Sequence, residues 1–199
     1  VYPHNASRKG TAAACERSLK RLGVDHLDLY LLHWRGGVPL SETVEAFERL
    51  QAQGKIRHWG VSNLDPGDMA ELCEQPGGEQ VAVNQVLYNL SRRGVEWDLL
   101  PWCEARRIPV MAYSPVERSR LLQHRGLAAL AGRHHLTPAQ LAIAWLLRRD
   151  QVIVIPKAST RAHLEDNFAS LQAALDAAAI DELDRIFPPP RRATPLEML

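Results

Sequence analysis

The chain has 199 residues, 46% of them hydrophobic, with 24 Lys and Arg against 23 Asp and Glu for a formal net charge of +1. That size and composition support a buried core in a single domain over residues 1–199, and the balanced charge gives no reason to expect nucleic acid or an anionic membrane as a partner. No apolar run approaches the ~18 residues of a transmembrane helix, and Val1 to Asn5 lack the charged and apolar regions of a signal peptide, so a soluble, cytoplasmic protein is expected.

In chain order, Ser7 is placed to cap a helix with Cys15, Leu19 and Leu22 at helical spacing and Gly23 as its stop. The run Leu27 to Trp34 then holds no Gly or Pro, which suits a strand buried on both faces and ending in His33. Ser41 is expected to cap a second helix, with Val44, Phe47 and Leu50 on one face and Gly54 at its end. Ile56 to Val61 leads as a strand into Ser62-Asn63. Asp65-Pro66 opens a short helix through about Glu74, and a strand Val81–Gln85 follows the turn at Pro76-Gly77-Gly78. A helix over roughly Trp97 to Arg106 precedes a strand from Ile108 to Tyr113, with Ser114-Pro115 at its end.

Leu121 to His134 reads as an extra helix. Thr137-Pro138-Ala139-Gln140 then combines an N-cap, a first-turn proline and a capping-box glutamine, and Leu141, Ala144 and Trp145 face the sheet. Val152 to Ile155 is expected as a short, fully buried strand ending in Pro156-Lys157. Thr160 caps a helix with Leu164, Phe168 and Leu171 on one face. A last helix around Ile180, Leu183, Ile186 and Phe187 is halted by Pro188-Pro189-Pro190, and the tail to Leu199 reads as irregular surface chain.

Strands and helices therefore alternate five times, which argues for right-handed βαβ units and a parallel sheet. Each strand ends in a polar or amphipathic group: His33, Ser62 with Asn63, Gln85, Tyr113 with Ser114, and Lys157. In a barrel these ends line one rim, where such folds bind substrate and cofactor. A single strand-end histidine is as readily a core imidazole held by a backbone carbonyl; five polar strand ends carry more weight. An eight-stranded barrel takes about 250 residues, so five strands imply an incomplete one with open edges and an exposed apolar face.

Cys15, Cys73 and Cys103 lie far apart without a CxxC and read as reduced thiols on helices. His134-His135 lack carboxylate or cysteine partners at metal-site spacing and read as solvated loop histidines. Arg118, Arg120, Arg125 and Arg133 form a basic stretch. It reads as a solvated face from which Arg118 or Arg120 could reach a pyrophosphate.

Leu31-Leu32-His33-Trp34, Gly60-Val61-Ser62-Asn63, Asn84-Gln85, Ala112-Tyr113-Ser114-Pro115, Thr137-Pro138-Ala139-Gln140-Leu141-Ala142 and Val154-Ile155-Pro156-Lys157 together resemble successive signatures of the aldo-keto reductase family, bacterial type. The resemblance implies a (β/α)8 TIM barrel lacking the first two βα units and most of strand 3. It also implies NADPH-dependent reduction of aldehydes or ketones to alcohols, with a small-molecule carbonyl substrate and a monomer at full length. Of the family's Tyr, Lys, Asp and His, only the His is matched, as His33. Val1-Tyr2-Pro3 resembles the residues that follow the Lys, so Tyr2 is not the family's acid. On this reading the chain is a fragment, and by itself it should turn over little carbonyl.

By the same resemblance, Ser62, Asn63 and Gln85 hydrogen-bond the nicotinamide carboxamide, Tyr113 stacks under the ring, and Ser114 and Pro115 complete that edge. Braced rim amides and a core tyrosine are the structural alternatives. Trp34 is a candidate wall of the substrate pocket. Lys157, Ala158 and Ser159 with the helix start near Thr160 and His163 form the expected 2′-phosphate site, and Asp166 and Asn167 match the adenine end. Ala158 stands where many members carry Ser, and His163 where many carry Arg, which leaves NADH as the alternative nucleotide and predicts sensitivity to salt and pH. Two rival readings are a non-catalytic nucleotide-binding module and a Schiff-base barrel lyase that uses Lys157.

Overall fold

The computed structural model describes residues 1–199, and in it five strands alternate with eight α-helices. By compactness the chain divides into two units, Val1–Gln85 and Val86–Leu199.

In the first unit, α1 (Arg8–Leu22) starts where the Ser7 hydroxyl accepts from Gly10 N at 3.1 Å, and it stops at Gly23, whose φ of 69° only a glycine adopts without strain. Cys15 and Leu19 are buried as the spacing predicts, but Leu22, the last residue of the helix, is 65% exposed. The second helix, α2 (Leu40–Ala52), begins one residue before Ser41, with Pro39 at the cap position and Ser41 inside the first turn. Its Val44, Phe47 and Leu50 are buried as expected.

Phe47 sets α2 against the sheet, edge-on to Tyr30 at 5.9 Å and stacked on Trp59 at 5.3 Å. Those rings belong to β1 (Leu27–Leu32) and β2 (Ile56–Ser62), which pair in parallel from Leu27↔Ile56 to Leu32↔Val61. The expectation that β1 is buried on both faces fails at Asp28, which is exposed and paired with Arg57 of β2 at 2.7 Å. A carboxylate stays in water unless burial is compensated, so only Tyr30 and Leu32 are fully buried there. Gly60 lets β2 approach its neighbour: a β-carbon at that position would lie 2.6 Å from the Val83 carbonyl.

Asp65 caps α3 (Pro66–Glu74), accepting from Asp68 N at 2.8 Å. The third strand, β3, runs over Asn84–Leu87 rather than Val81–Gln85. Val81 follows a 3₁₀ turn at Gly78–Gln80, and although Ala82 N already donates to Trp59 O, register with β2 begins at Val61↔Asn84 and Ser62↔Gln85. Gln85 is therefore inside its strand, opposite Ser62.

The second unit contains α4 (Leu99–Ala105), β4 (Val110–Tyr113), α5 (Arg125–Arg133), α6 (Pro138–Leu147), β5 (Val152–Ile155), α7 (Arg161–Ala169) and α8 (Ala177–Ile186). The parallel pair β4 and β5 is in register from Val110↔Val152 to Tyr113↔Ile155. The extra helix expected from Leu121 is a 3₁₀ turn, Leu121–Gln123, followed by α5, because His124 breaks off the turn and caps α5 through its ring Nδ1. The capping box at Thr137 and Gln140 forms in full, and Leu141 through Leu146 of α6 are buried.

Two expected apolar faces are not buried. In β5 only Val152 is fully buried, whereas Ile153 and Ile155 are 46% and 37% exposed, since β5 pairs with β4 on one side alone. Leu164 and Phe168 of α7, with Leu171 just beyond it, are more than half exposed, and no residue of α7 is buried. A buried arginine, Arg93, joins several segments of this unit. Its guanidinium bonds Glu96, Asp184 and the Phe187 carbonyl and lies 5.0 Å over the Trp145 ring. Cys15, Cys73 and Cys103 lie on α1, α3 and α4 and form no disulfide.

Candidate active site

The polar strand ends of the first unit form one bonded cluster. Asn63 follows β2 with φ of 57°, a left-handed conformation that Asn tolerates better than most side chains. That turn brings its amide nitrogen back onto the His33 carbonyl at 3.1 Å and the Ser62 hydroxyl at 2.9 Å. Ser62 in turn donates to the Gln85 carbonyl at 2.8 Å, and Asn63 N donates to the same oxygen. Backbone and side-chain bonds thus tie the ends of β1 and β2 to the start of β3, with Ser62 and Asn63 2% and 8% exposed. One strand position earlier, Asn84 is wholly buried and donates to Leu64 O at 2.8 Å, while its Oδ1 has no partner.

His33 itself is exposed just past the end of β1, and its backbone N donates to the Val1 carbonyl. Its ring stacks on Tyr2, with centroids 5.1 Å apart, and lies 4.9 Å from Trp34. Tyr2 also meets Trp34 edge-on at 5.3 Å and stacks on His4 at 5.8 Å. The result is an imidazole able to donate to a carbonyl oxygen, set in an aromatic wall. Sequence reading found His33 and Trp34 but assigned Tyr2 no role, because nothing local signals that residue 2 returns to the end of β1.

In the second unit Tyr113 ends β4 and is half-buried. Burial pushes its hydroxyl pKa up, against a backbone hydrogen bond from Leu199 and the charge of Arg118. Ser114 has φ of 52°, and its carbonyl accepts from the buried Asn89 at 2.9 Å; Pro115 behind it is buried. Glu117, Arg118 and Ser119 are also left-handed, three consecutive non-glycine residues. Arg118 and Arg120 are exposed.

Lys157 is exposed beyond β5, with its ammonium 3.2 Å from the Ser159 hydroxyl. The apolar wall that a Schiff-base lysine needs is therefore missing, and the lyase reading loses its physical basis. Thr160 caps α7, accepting from His163 N at 3.2 Å, so this helix start, Ser159 and Lys157 lie on one short segment behind the half-buried Ala158. Asp166 accepts from the Thr137 hydroxyl at 3.2 Å, which ties α7 to the capping box of α6, and Asn167 is its neighbour in α7. His134 terminates α5 and His135 follows with φ of 55°.

Comparison with known proteins gives these arrangements a context. Residues 1–187 match the model of the aldo/keto reductase family. The methylglyoxal reductase YeaE of Escherichia coli (strain K12) is 50% identical over 204 residues, a match that spans all of this chain and 72% of that protein. A crystal structure of an aldo/keto reductase from Klebsiella pneumoniae in complex with NADP and acetate superposes with a TM-score of 0.98 at 49% identity, over all of this chain and 72% of that one. A second Klebsiella pneumoniae aldo-keto reductase structure, in complex with NADPH, gives a TM-score of 0.98 at 50% identity with the same coverage.

Proposed function

The chain belongs to the aldo/keto reductase family, and on that premise we propose that it serves NADPH-dependent reduction of small aldehydes and ketones, with 2-oxoaldehydes of the methylglyoxal type as the first substrates to try. The observation that carries this reading is the bonded cluster in which Asn63 and Ser62, at the end of β2, hold the backbone carbonyls of His33 just past β1 and Gln85 at the start of β3, so that an imidazole and three amide or hydroxyl residues fall on adjacent parallel strands.

The donor set fits a nicotinamide nucleotide. A carboxamide needs a donor and an acceptor together: the Gln85 amide carries both, and Asn63, whose N–H groups go to the His33 carbonyl and the Ser62 hydroxyl, contributes its Oδ1 as an acceptor. A phosphate needs positive charge and free helical N–H groups, which Lys157 and the start of α7 combine on one segment. When bound, NADPH supplies the hydride that reduces the carbonyl carbon. In the proposed reaction His33 donates a hydrogen bond to the substrate oxygen, water supplies the proton that completes the alcohol, and the imidazole is held by its ring contacts with Tyr2 and Trp34. Tyr2 and Trp34 flank the imidazole and keep water from one side of the substrate. Tyr113 supports the ring face, and Ser114 and Pro115 shape the loop behind it. Ser159, His163, Asp166 and Asn167 serve the phosphate and adenine end.

The test is titration of NADPH and NADH into the purified protein, followed by nicotinamide fluorescence, with methylglyoxal and other carbonyls assayed in parallel. Tighter binding of NADPH than of NADH, weakened by replacement of Gln85, is the expected result. Failure to bind either nucleotide overturns the reading.

A further inference from the structure

We infer that Arg92 is a positioning residue that couples the carboxyl-terminal segment, residues 188–199, to the loop following β4, so that this segment governs how fast the nucleotide leaves. The inference rests on the nucleotide reading above for the identity of the ligand, but the coupling rests on geometry alone.

Arg92 lies in the turn that follows β3, where Asn89 and Arg92 exchange backbone hydrogen bonds. Its guanidinium is shared between two carboxylates far apart in the sequence, Glu117 and Glu197. Nε and Nη2 donate to Glu117 Oε1 at 3.0 and 2.9 Å, and Nη1 donates to Glu197 at 2.6 Å. Glu117 is the first of the three left-handed residues in the loop after Tyr113-Ser114-Pro115. Its side chain is 6% exposed and takes a further bond from the buried Asn89 at 2.8 Å. Burial alone would raise the Glu117 pKa, yet the bonds from Arg92 and Asn89 more than offset it and hold the carboxyl below the usual carboxylate range.

Such a loop is costly in isolation, at about 1–2 kcal/mol per left-handed residue, so it holds its shape only while outside contacts over-determine it. Arg92 and Asn89 are those contacts. On the other side, the carboxyl-terminal segment is seated deliberately. A β-carbon on Gly94 would come within 2.6 Å of the Thr194 hydroxyl, so the segment lies close against the turn there. Arg93, next to Arg92, holds the Phe187 carbonyl where the segment begins, and Leu199 reaches Tyr113 with a backbone hydrogen bond. One turn thus grips the segment at its start and middle and grips the loop behind Tyr113 through Glu117. Glu197 has no bond of its own to that loop; its influence passes through Arg92.

The experiment compares Arg92→Gln, Glu197→Gln and the double variant with the unmodified protein. Two quantities are read: the NADPH dissociation rate by stopped-flow fluorescence, and amide hydrogen exchange in residues 114–120. Loss of the charge-assisted bonds to both carboxylates is expected to speed release about tenfold in Arg92→Gln, and loss of the single bond to Glu197 about threefold in Glu197→Gln. Glu197→Gln should also raise exchange in the loop it does not touch, and it should add nothing in the Arg92→Gln background. Unchanged loop exchange in Glu197→Gln, or a full additive effect in the double variant, overturns the coupling. Unmodified protein that binds no NADPH overturns the nucleotide reading and with it the gating role, and the exchange data still separate that failure from a failure of the coupling itself.

Discussion

The imidazole of His33 and the phenol of Tyr2 are stacked, with centroids 5.1 Å apart and ring planes inclined by 26°. Because His33 is exposed past the end of β1, this contact and its neighbour Trp34 are what limit its rotamers. Tyr2→Ala should cost about 1 kcal/mol of stability and Tyr2→Phe almost none, since the ring and not the hydroxyl makes the stack. Thermal denaturation of both variants checks this, and equal losses would mean that the hydroxyl matters.

Lys157 is bonded only to Ser159 among its neighbours, at an exposed position before the start of α7. Lys157→Met should weaken NADPH binding about tenfold and NADH binding far less, because only the former carries a 2′-phosphate for the ammonium to meet. Parallel fluorescence titrations read the ratio. An equal loss for both nucleotides would place Lys157 elsewhere along the nucleotide.

The Arg93–Glu96 pair is buried, with side chains 6% and 7% exposed. Arg93→Met strands the Glu96 carboxylate in the interior and should cost about 3–5 kcal/mol, whereas Arg93→Met with Glu96→Gln should cost less, because no bare charge remains. Urea denaturation of the single and double variants gives both numbers.

Glu117 makes stability depend on pH at the acid end. Its folded pKa is depressed below its unfolded value of about 4.3. Between the two values the unfolded chain binds more protons, so stability rises with pH there. The contribution is fully present above the unfolded pKa and is lost as pH falls through the folded one. Denaturant midpoints measured from about pH 5 downward should fall less steeply in Glu117→Gln than in the unmodified protein.

Gly60 sits where β2 passes the Val83 carbonyl, and an added β-carbon would lie 2.6 Å from that backbone oxygen and 2.9 Å from Leu31 Cδ2. Gly60→Ala should destabilise the protein by about 1–3 kcal/mol through forced strand separation. A calorimetric midpoint equal to that of the unmodified protein would show that the strands yield at no cost.

Most helices that carried a cap in the sequence formed as read, the exception being α2, which starts at Leu40 behind Pro39 and not at Ser41. Ser7, Asp65, Thr137, Thr160 and Gly23 each make the terminal bond expected of them, since a cap is satisfied within four residues of itself. Two strand boundaries were legible for the same reason: an apolar run followed by His33 or by Ser62-Asn63 marks an end without knowledge of any partner. Burial was less so. Leu164, Phe168, Ile153 and Ile155 carry the right pattern yet stay exposed, because burial depends on what another segment places opposite them.

The sequence by itself determined the alternation of parallel strands with helices, the residues at their ends, and the family to which those signatures belong. Only the tertiary structure decided that Tyr2 stacks on His33, that β3 enters register at Asn84, that Asn63 turns back to the His33 carbonyl, and that Arg92 joins Glu117 to Glu197. Periodicity and capping are satisfied between residues a few positions apart. Stacking, register and ion pairing are chosen among residues that meet only after the chain has folded, and no local pattern names their partners.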